Sequence, residues 1–187
     1  MIDSLDYFNF LNTIDPNKAT IIQSLFQPKT VKKNTYLLRE GQICKDSYII
    51  TKGVAIKCFD FDDKEIATDI YLKGDIAFSF DSFTYQTKST ESIIAVTDLD
   101  LLCINYKNYS EAKTKYPWFV EYDSIFMERY IGQLEHKMKE LATLNAAQRY
   151  EKILNNHPKL LLEVPLKIIA SYLNVSVERL SRIRAKI

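Results

Sequence analysis

The sequence predicts an α+β chain, with an antiparallel β unit behind short N-terminal helices and a wholly helical C-terminal third. Three observations carry this. Between residues 29 and 106, strand-sized apolar runs recur at roughly ten-residue spacing, each closed by a turn signal. From Pro117 to Leu144 no internal proline interrupts a helical pattern that would reach roughly 40 Å. Beyond it come three further helical stretches joined by short linkers. At 187 residues the chain is long enough for two small cores.

Residues 3–26 read as short helices. Asp15-Pro16 is a helix start, with a capping carboxylate ahead of a proline whose missing N–H costs nothing in the first turn. Ile14, Ala19, Ile22, Leu25 and Phe26 follow at helical spacing until Pro28 stops them. The β region then runs TYLLRE to Gly41, SYIITK to Gly53, VAIKCFDF to Asp62-Asp63, EIATDIYL to Gly74, and SIIAV through LDLLCI. The chain has four glycines, and three of them fall at these junctions, where a positive φ is easiest for glycine. This pattern is that of a sandwich or barrel.

Tyr116-Pro117-Trp118 opens the long helix. Met127, Ile131, Leu134, Met138 and Leu141 are spaced 4-3-4-3, the seam of a two-stranded coiled coil. Phe119, Tyr122, Phe126 and Tyr130 make a second apolar stripe. A helix with two apolar faces needs two partners, here the β unit and a second copy of the chain.

The segment PLKIIASYLNVSVERLSRIRAKI reads as two short helices joined by a tight turn at Asn174-Val175. Ile168, Ile169 and Leu173 give the first an apolar face, and Ala170 lets the second cross closely. Ser176 suits the N-cap of the second helix. Leu180 and Ile183 face inward, leaving Glu178, Arg179, Ser181 and Arg182 outward. A polar, arginine-bearing second helix fits a DNA major groove, since a guanidinium fork matches guanine O6 and N7 or grips phosphate. Charge agrees: residues 128–187 carry a net +5 and residues 1–127 a net −4.

Other chemistries find little support. Cys44, Cys58 and Cys103 are far apart, and His136 and His157 lack partners at ligand spacing, so no metal or cofactor is expected. No strand presents paired carboxylates or an activated nucleophile, so no catalytic residue and no enzyme is expected. No apolar run approaches a membrane span, and the N-terminus lacks the basic start of a signal peptide, which points to a cytoplasmic protein without membrane contact.

On these residues the chain resembles the Crp/Fnr family of bacterial transcription regulators. LLREGQICKDSYIITKGVAIKCF carries the family's glycine-spaced turns, and LKGDIAF its Gly-Asp turn. Ser176 to Arg182 is similar to the family's recognition helix, Ser-Arg-Glu-Thr-Val-x-Arg. Ser176, Glu178 and Arg182 match, Val177 replaces the first arginine, and Arg179 replaces threonine, so a different operator is implied. The resemblance implies a β-roll of the double-stranded β-helix (jelly-roll) type, a long dimerisation helix and a helix-turn-helix domain. The domain boundaries expected are 1–116, 117–145 and 146–187.

The same resemblance marks where this chain departs from members that bind cyclic AMP. Their phosphate-neutralising arginine falls at Ser89 here, and their Gly-Glu pair at Phe78-Ser79. An unpaired phosphate in such a pocket would cost several kcal/mol, so no cyclic AMP response is expected. Phe78, Ser79, Phe80, Lys88, Ser89 and Thr90 are the candidate effector pocket, with Lys88 a substitute cation, and Phe78, Phe80, Phe83 and Tyr85 either fill the space or line an apolar pocket for another ligand. The iron–sulfur and haem sensors of the family need cysteine or histidine clusters absent here.

The expected function is a homodimeric transcription regulator binding a roughly palindromic operator on double-stranded DNA. Ser176, Val177, Glu178, Arg179, Ser181 and Arg182 are its DNA-facing residues. RNA polymerase and an unidentified small-molecule effector are further candidate partners. The alternative is a ligand-binding β-roll that regulates a protein partner without touching DNA.

Overall fold

Two four-stranded antiparallel sheets face each other in a computed structural model that describes residues 7–62 and 64–186. Residues 3–6 of the expected N-terminal helical stretch, Asp63 of the Asp62-Asp63 turn and Ile187 lie outside those described. The strands are β1 (Gln27–Val31), β2 (Tyr36–Leu38), β3 (Asp46–Lys52), β4 (Ala55–Phe61), β5 (Lys64–Tyr71), β6 (Ile76–Ala77), β7 (Ser92–Ala95) and β8 (Leu99–Asn105). One sheet has the order β1-β8-β3-β6 and the other β2-β7-β4-β5. The helices among the described residues are α1 (Tyr7–Leu11), α2 (Pro16–Ser24), α3 (Phe80–Tyr85), α4 (Tyr106–Lys115), α5 (Pro117–Thr143), α6 (Ala146–Asn156), α7 (Leu160–Glu163), α8 (Leu166–Tyr172) and α9 (Val177–Arg184). The architecture is a jelly-roll-like β unit followed by C-terminal helices.

Three apolar layers follow from the period of two along each strand. Between the sheets, Leu38, Ile50, Ala55, Ile93, Leu99 and Leu101 are buried together. Ile49, one residue from Ile50 and on the opposite side of β3, packs outward against Tyr7, Ile22, Ala112 and Phe119. On the other sheet Ile56 and Cys58 turn outward and meet Tyr150, Ile153, Ile169, Leu173 and Leu180 of the C-terminal helices. Both outer faces of the roll are thus roofed by helices, and the C-terminal helices share a core with it.

Local chemistry fixes the joints. Asp15 accepts from the backbone N–H of Asn17 and Lys18 at the start of α2. Asn145 and Gln148 form a reciprocal capping box at the start of α6. Gly53 has φ +91°, and a Cβ there would lie 2.3 Å from the Asp98 carbonyl oxygen, so this turn admits only glycine. Pro28 follows the helical pattern, which ends as expected ahead of it, with α2 closing at Ser24. It lies in β1, at a sheet edge, where a missing donor is tolerated. α3 and the four-residue α7 are not evident in the sequence pattern, being too short for helical periodicity to register.

Candidate functional site

Polar side chains gather in a cleft against α5 and on the outer face of α9. The cleft has a volume of about 650 Å³ and is walled by Lys57, Ser79–Ser82, Thr87–Glu91 and the α5 residues Met127, Tyr130, Ile131 and Leu134. Ser89 and Ser79 meet there, Oγ to Oγ at 3.1 Å. Ser79 donates to Glu91 Oε2 at 3.1 Å, and Ser89 donates to the Glu91 carbonyl oxygen at 2.8 Å while accepting from the Glu91 N–H. Ser79 is the N-cap residue of α3 yet makes no capping bond, because its hydroxyl is engaged here.

Lys57 enters the cleft from the middle of β4 and is only 6% exposed. Its Nζ lies 3.4 Å from Asp69 and 3.6 Å from Glu91. Burial works against its charge, but Asp69, then Tyr130 and Glu91, hold its pKa above the ordinary lysine value. Asp69 also accepts from Lys137 of α5 at 2.7 Å. Lys137 donates to the Thr68 carbonyl as well and lies 4.8 Å from the centroid of the Tyr172 ring on α8. A continuous polar chain therefore runs from Glu91 through Lys57, Asp69 and Lys137 to the C-terminal helices.

α8 and α9 are joined at Asn174, whose φ is +54°. Ser176 caps α9 by accepting from the Arg179 N–H. Leu180 is fully buried, while Val177, Glu178, Arg179, Ser181 and Arg182 are exposed. α8 is held to the roll by Ser171, which accepts from the Ala67 N–H at 2.9 Å and donates to the Glu65 carbonyl oxygen at 3.1 Å. Both backbone groups belong to β5, an edge strand, whose outer hydrogen-bonding row Ser171 partly satisfies.

Residues 28–116 match the family model of the cyclic nucleotide-binding domain. The matched stretch runs from β1 through α4 and includes the Ser79–Ser89–Glu91 network. The chain is 25% identical over 123 residues to the anaerobic regulatory protein of Bacillus subtilis, covering 65% of this chain and 51% of that one, so it spans about half the length of this relative. Among solved structures, it is similar to the c-di-GMP responsive global regulator CLP of Xanthomonas campestris, with 15% identity, a TM-score of 0.68, and coverage of 92% of this chain and 91% of that one. It is likewise similar to FixK2 of Bradyrhizobium japonicum, with 15% identity, a TM-score of 0.71, and coverage of 86% and 83%. A CooA mutant of Carboxydothermus hydrogenoformans gives 17% identity, a TM-score of 0.65, and coverage of 97% and 83%. At these identities the solved structures establish the fold, and the domain match shows that residues 28–116 are similar to a cyclic nucleotide-binding domain. Two of these proteins are named as regulators, the anaerobic regulatory protein and CLP.

Of the residues singled out in the sequence, Phe78, Ser79, Phe80, Lys88, Ser89 and Thr90 lie close together, although Lys88 and Thr90 are exposed and Phe78 turns away from the cleft toward Phe83. Tyr85 does not fill the space assigned to it. It is 68% exposed, at the end of α3, where Gln86 takes φ +53° and breaks the helix. Met127, Ile131, Leu134, Met138 and Leu141 fall on one side of α5, with Ile131 62% and Met138 71% exposed. Sequence reasoning missed Lys57, Asp69 and Glu91. The signal was present for Lys57: a lysine inside the apolar run VAIKCF, in phase with inward-facing positions, needs buried carboxylates. Among the described residues no group of three metal-ligating side chains occurs, and no helix is long and apolar enough to cross a membrane.

Proposed function

We propose that the chain is a DNA-binding transcription regulator of Crp/Fnr type that works as a homodimer and does not respond to cyclic AMP. The observation that carries the reading is α9. It is a serine-capped helix held from behind by the buried Leu180, with Val177, Glu178, Arg179, Ser181 and Arg182 free to meet base edges and phosphates. The exposed apolar residues of α5 favour pairing with a second copy. In a dimer, two α9 helices would reach half-sites about one turn, roughly 34 Å, apart. The pairing inside the cleft supports the negative part: the polar groups that would face a cyclic phosphate bond one another, and Lys57 is already shared by two carboxylates.

Selection of bound sequences from random duplex DNA tests this directly. The reading expects enrichment of an inverted repeat. Failure to enrich any sequence, with the purified protein folded, would favour a roll that regulates a protein partner. The dimer is tested separately: Ile131→Asp with Leu134→Asp should yield a monomer by light scattering, and a double variant that remains dimeric would remove the α5 seam from the account.

A further inference from the structure

A second cavity, of about 110 Å³, lies on the other side of the roll, beneath the N-terminal helices. Its floor is the outer face of β3 and β8 at Ile49 and Ile104, and its roof is Phe10, Phe119 and Phe126. The roof is tightly packed edge to face, with 4.2 Å between the ring centroids of Phe10 and Phe126 and 67° between their planes. The volume approaches that of an apolar protein cavity able to hold one six-membered ring, about 150 Å³.

The polar groups around it are unequal. Asp123 lines the cavity, but its Oδ2 already accepts from the Tyr109 hydroxyl at 2.6 Å and from Lys113 Nζ at 2.7 Å. Tyr7 also lines it, is 2% exposed, and its buried hydroxyl has no hydrogen-bond partner among the described residues. Ser47 and Thr84 add two hydroxyls to a wall that is otherwise mostly aromatic, and a buried hydroxyl left unpaired in such a setting is destabilising. The one carboxylate in the wall, Asp123, is neutralised by Lys113, and no cationic side chain of the described residues lines the cavity itself.

We propose that this cavity is a binding site for a small, neutral, ring-sized molecule carrying one hydrogen-bond acceptor, which receives the Tyr7 hydroxyl. Phe119, Tyr122, Phe126 and Met127 of α5 stand in its wall, so occupancy braces the long helix against the roll. Phe80 and Met127 also border the polar cleft, so these two side chains line both spaces. The site does not depend on the DNA-binding reading, because its test measures ligand on the chain itself.

Benzene and pyridine are matched probes of equal shape, and at neutral pH only pyridine offers an uncharged acceptor. Their binding to the full chain is measured by ligand-observed nuclear magnetic resonance titration. Both are expected to bind saturably at millimolar concentration. Tyr7→Phe should weaken pyridine by about fivefold, the factor one neutral hydrogen bond supplies, and leave benzene unchanged. Ile76→Phe, which places a ring in the cavity from β6, should abolish binding of both. Should Ile76→Phe fail to fold, the conservative Tyr7→Phe still decides the matter. Absence of saturable binding of either probe to the native chain, or a pyridine affinity indifferent to Tyr7→Phe, overturns the proposal.

Discussion

The polar side chains of the cleft and those of α9 are arranged in opposite ways. In the cleft, Ser79, Ser89 and Glu91 bond one another, and Lys57 is held between Asp69 and Glu91. On α9, the hydroxyl of Ser176 closes the backbone at the helix start, and the side chains of Glu178, Arg179, Ser181 and Arg182 stand exposed. Inward-facing polar groups must be satisfied within the fold, since an unpaired one is costly. Outward-facing groups can remain available because water satisfies them until a partner displaces it. The difference teaches that the same chain presents a closed polar network where a charged ligand would enter and an open one where a polyanion would dock.

The largest effect expected from disturbing this contrast is at Asp69, which ties Lys57 to Lys137. Asp69→Ala leaves a nearly buried ammonium with Glu91 as its remaining close carboxylate and should destabilise the fold by about 3 kcal/mol in denaturant unfolding. The pH dependence has a definite sign. The pKa of Lys57 is raised in the fold, so its contribution is complete below the ordinary lysine value and is lost as pH climbs through the raised one. Asp69→Ala should flatten that alkaline loss. A variant as stable as the native chain, with the same alkaline profile, would mean that the polar chain does not hold the cleft. A smaller expectation concerns ligand: calorimetry with cyclic AMP at millimolar concentration should give no saturable heat, since the phosphate would meet Glu91 and find no free buried cation. Micromolar affinity would show that the network opens.

Much of this was legible in the sequence, for reasons that differ by region. The roll was legible because glycines and turn residues punctuate β-branched runs at even spacing. The long helix was legible because 27 residues give a 3.6-residue period room to register. The two-helix motif was legible because its turn, cap and buried Leu180 lie within a dozen residues of one another. The cleft network was not, because Lys57, Asp69 and Glu91 come from β4, β5 and the approach to β7, and only the sheet pairing brings them together. Nor was the helical roofing of both sheets, where Ile49 and Ile50 belong to different cores although they are adjacent in sequence. The β1 edge strand was obscured by Pro28, a residue that ends helices and usually interrupts strands.

The open side of the comparison is tested most directly at Arg182. Binding of the native chain and of Arg182→Ala is measured by fluorescence anisotropy on a selected duplex and on a random duplex, each at two salt concentrations. If Arg182 reads a guanine edge, its removal should cost about 1–3 kcal/mol per half-site on the selected duplex and relax preference at one base pair. If it grips phosphate, affinity should fall evenly on both duplexes and the salt slope should shrink by about one unit per contact. Either outcome places α9 against DNA. Unchanged binding to both duplexes, with circular dichroism showing an intact fold, would contradict the account.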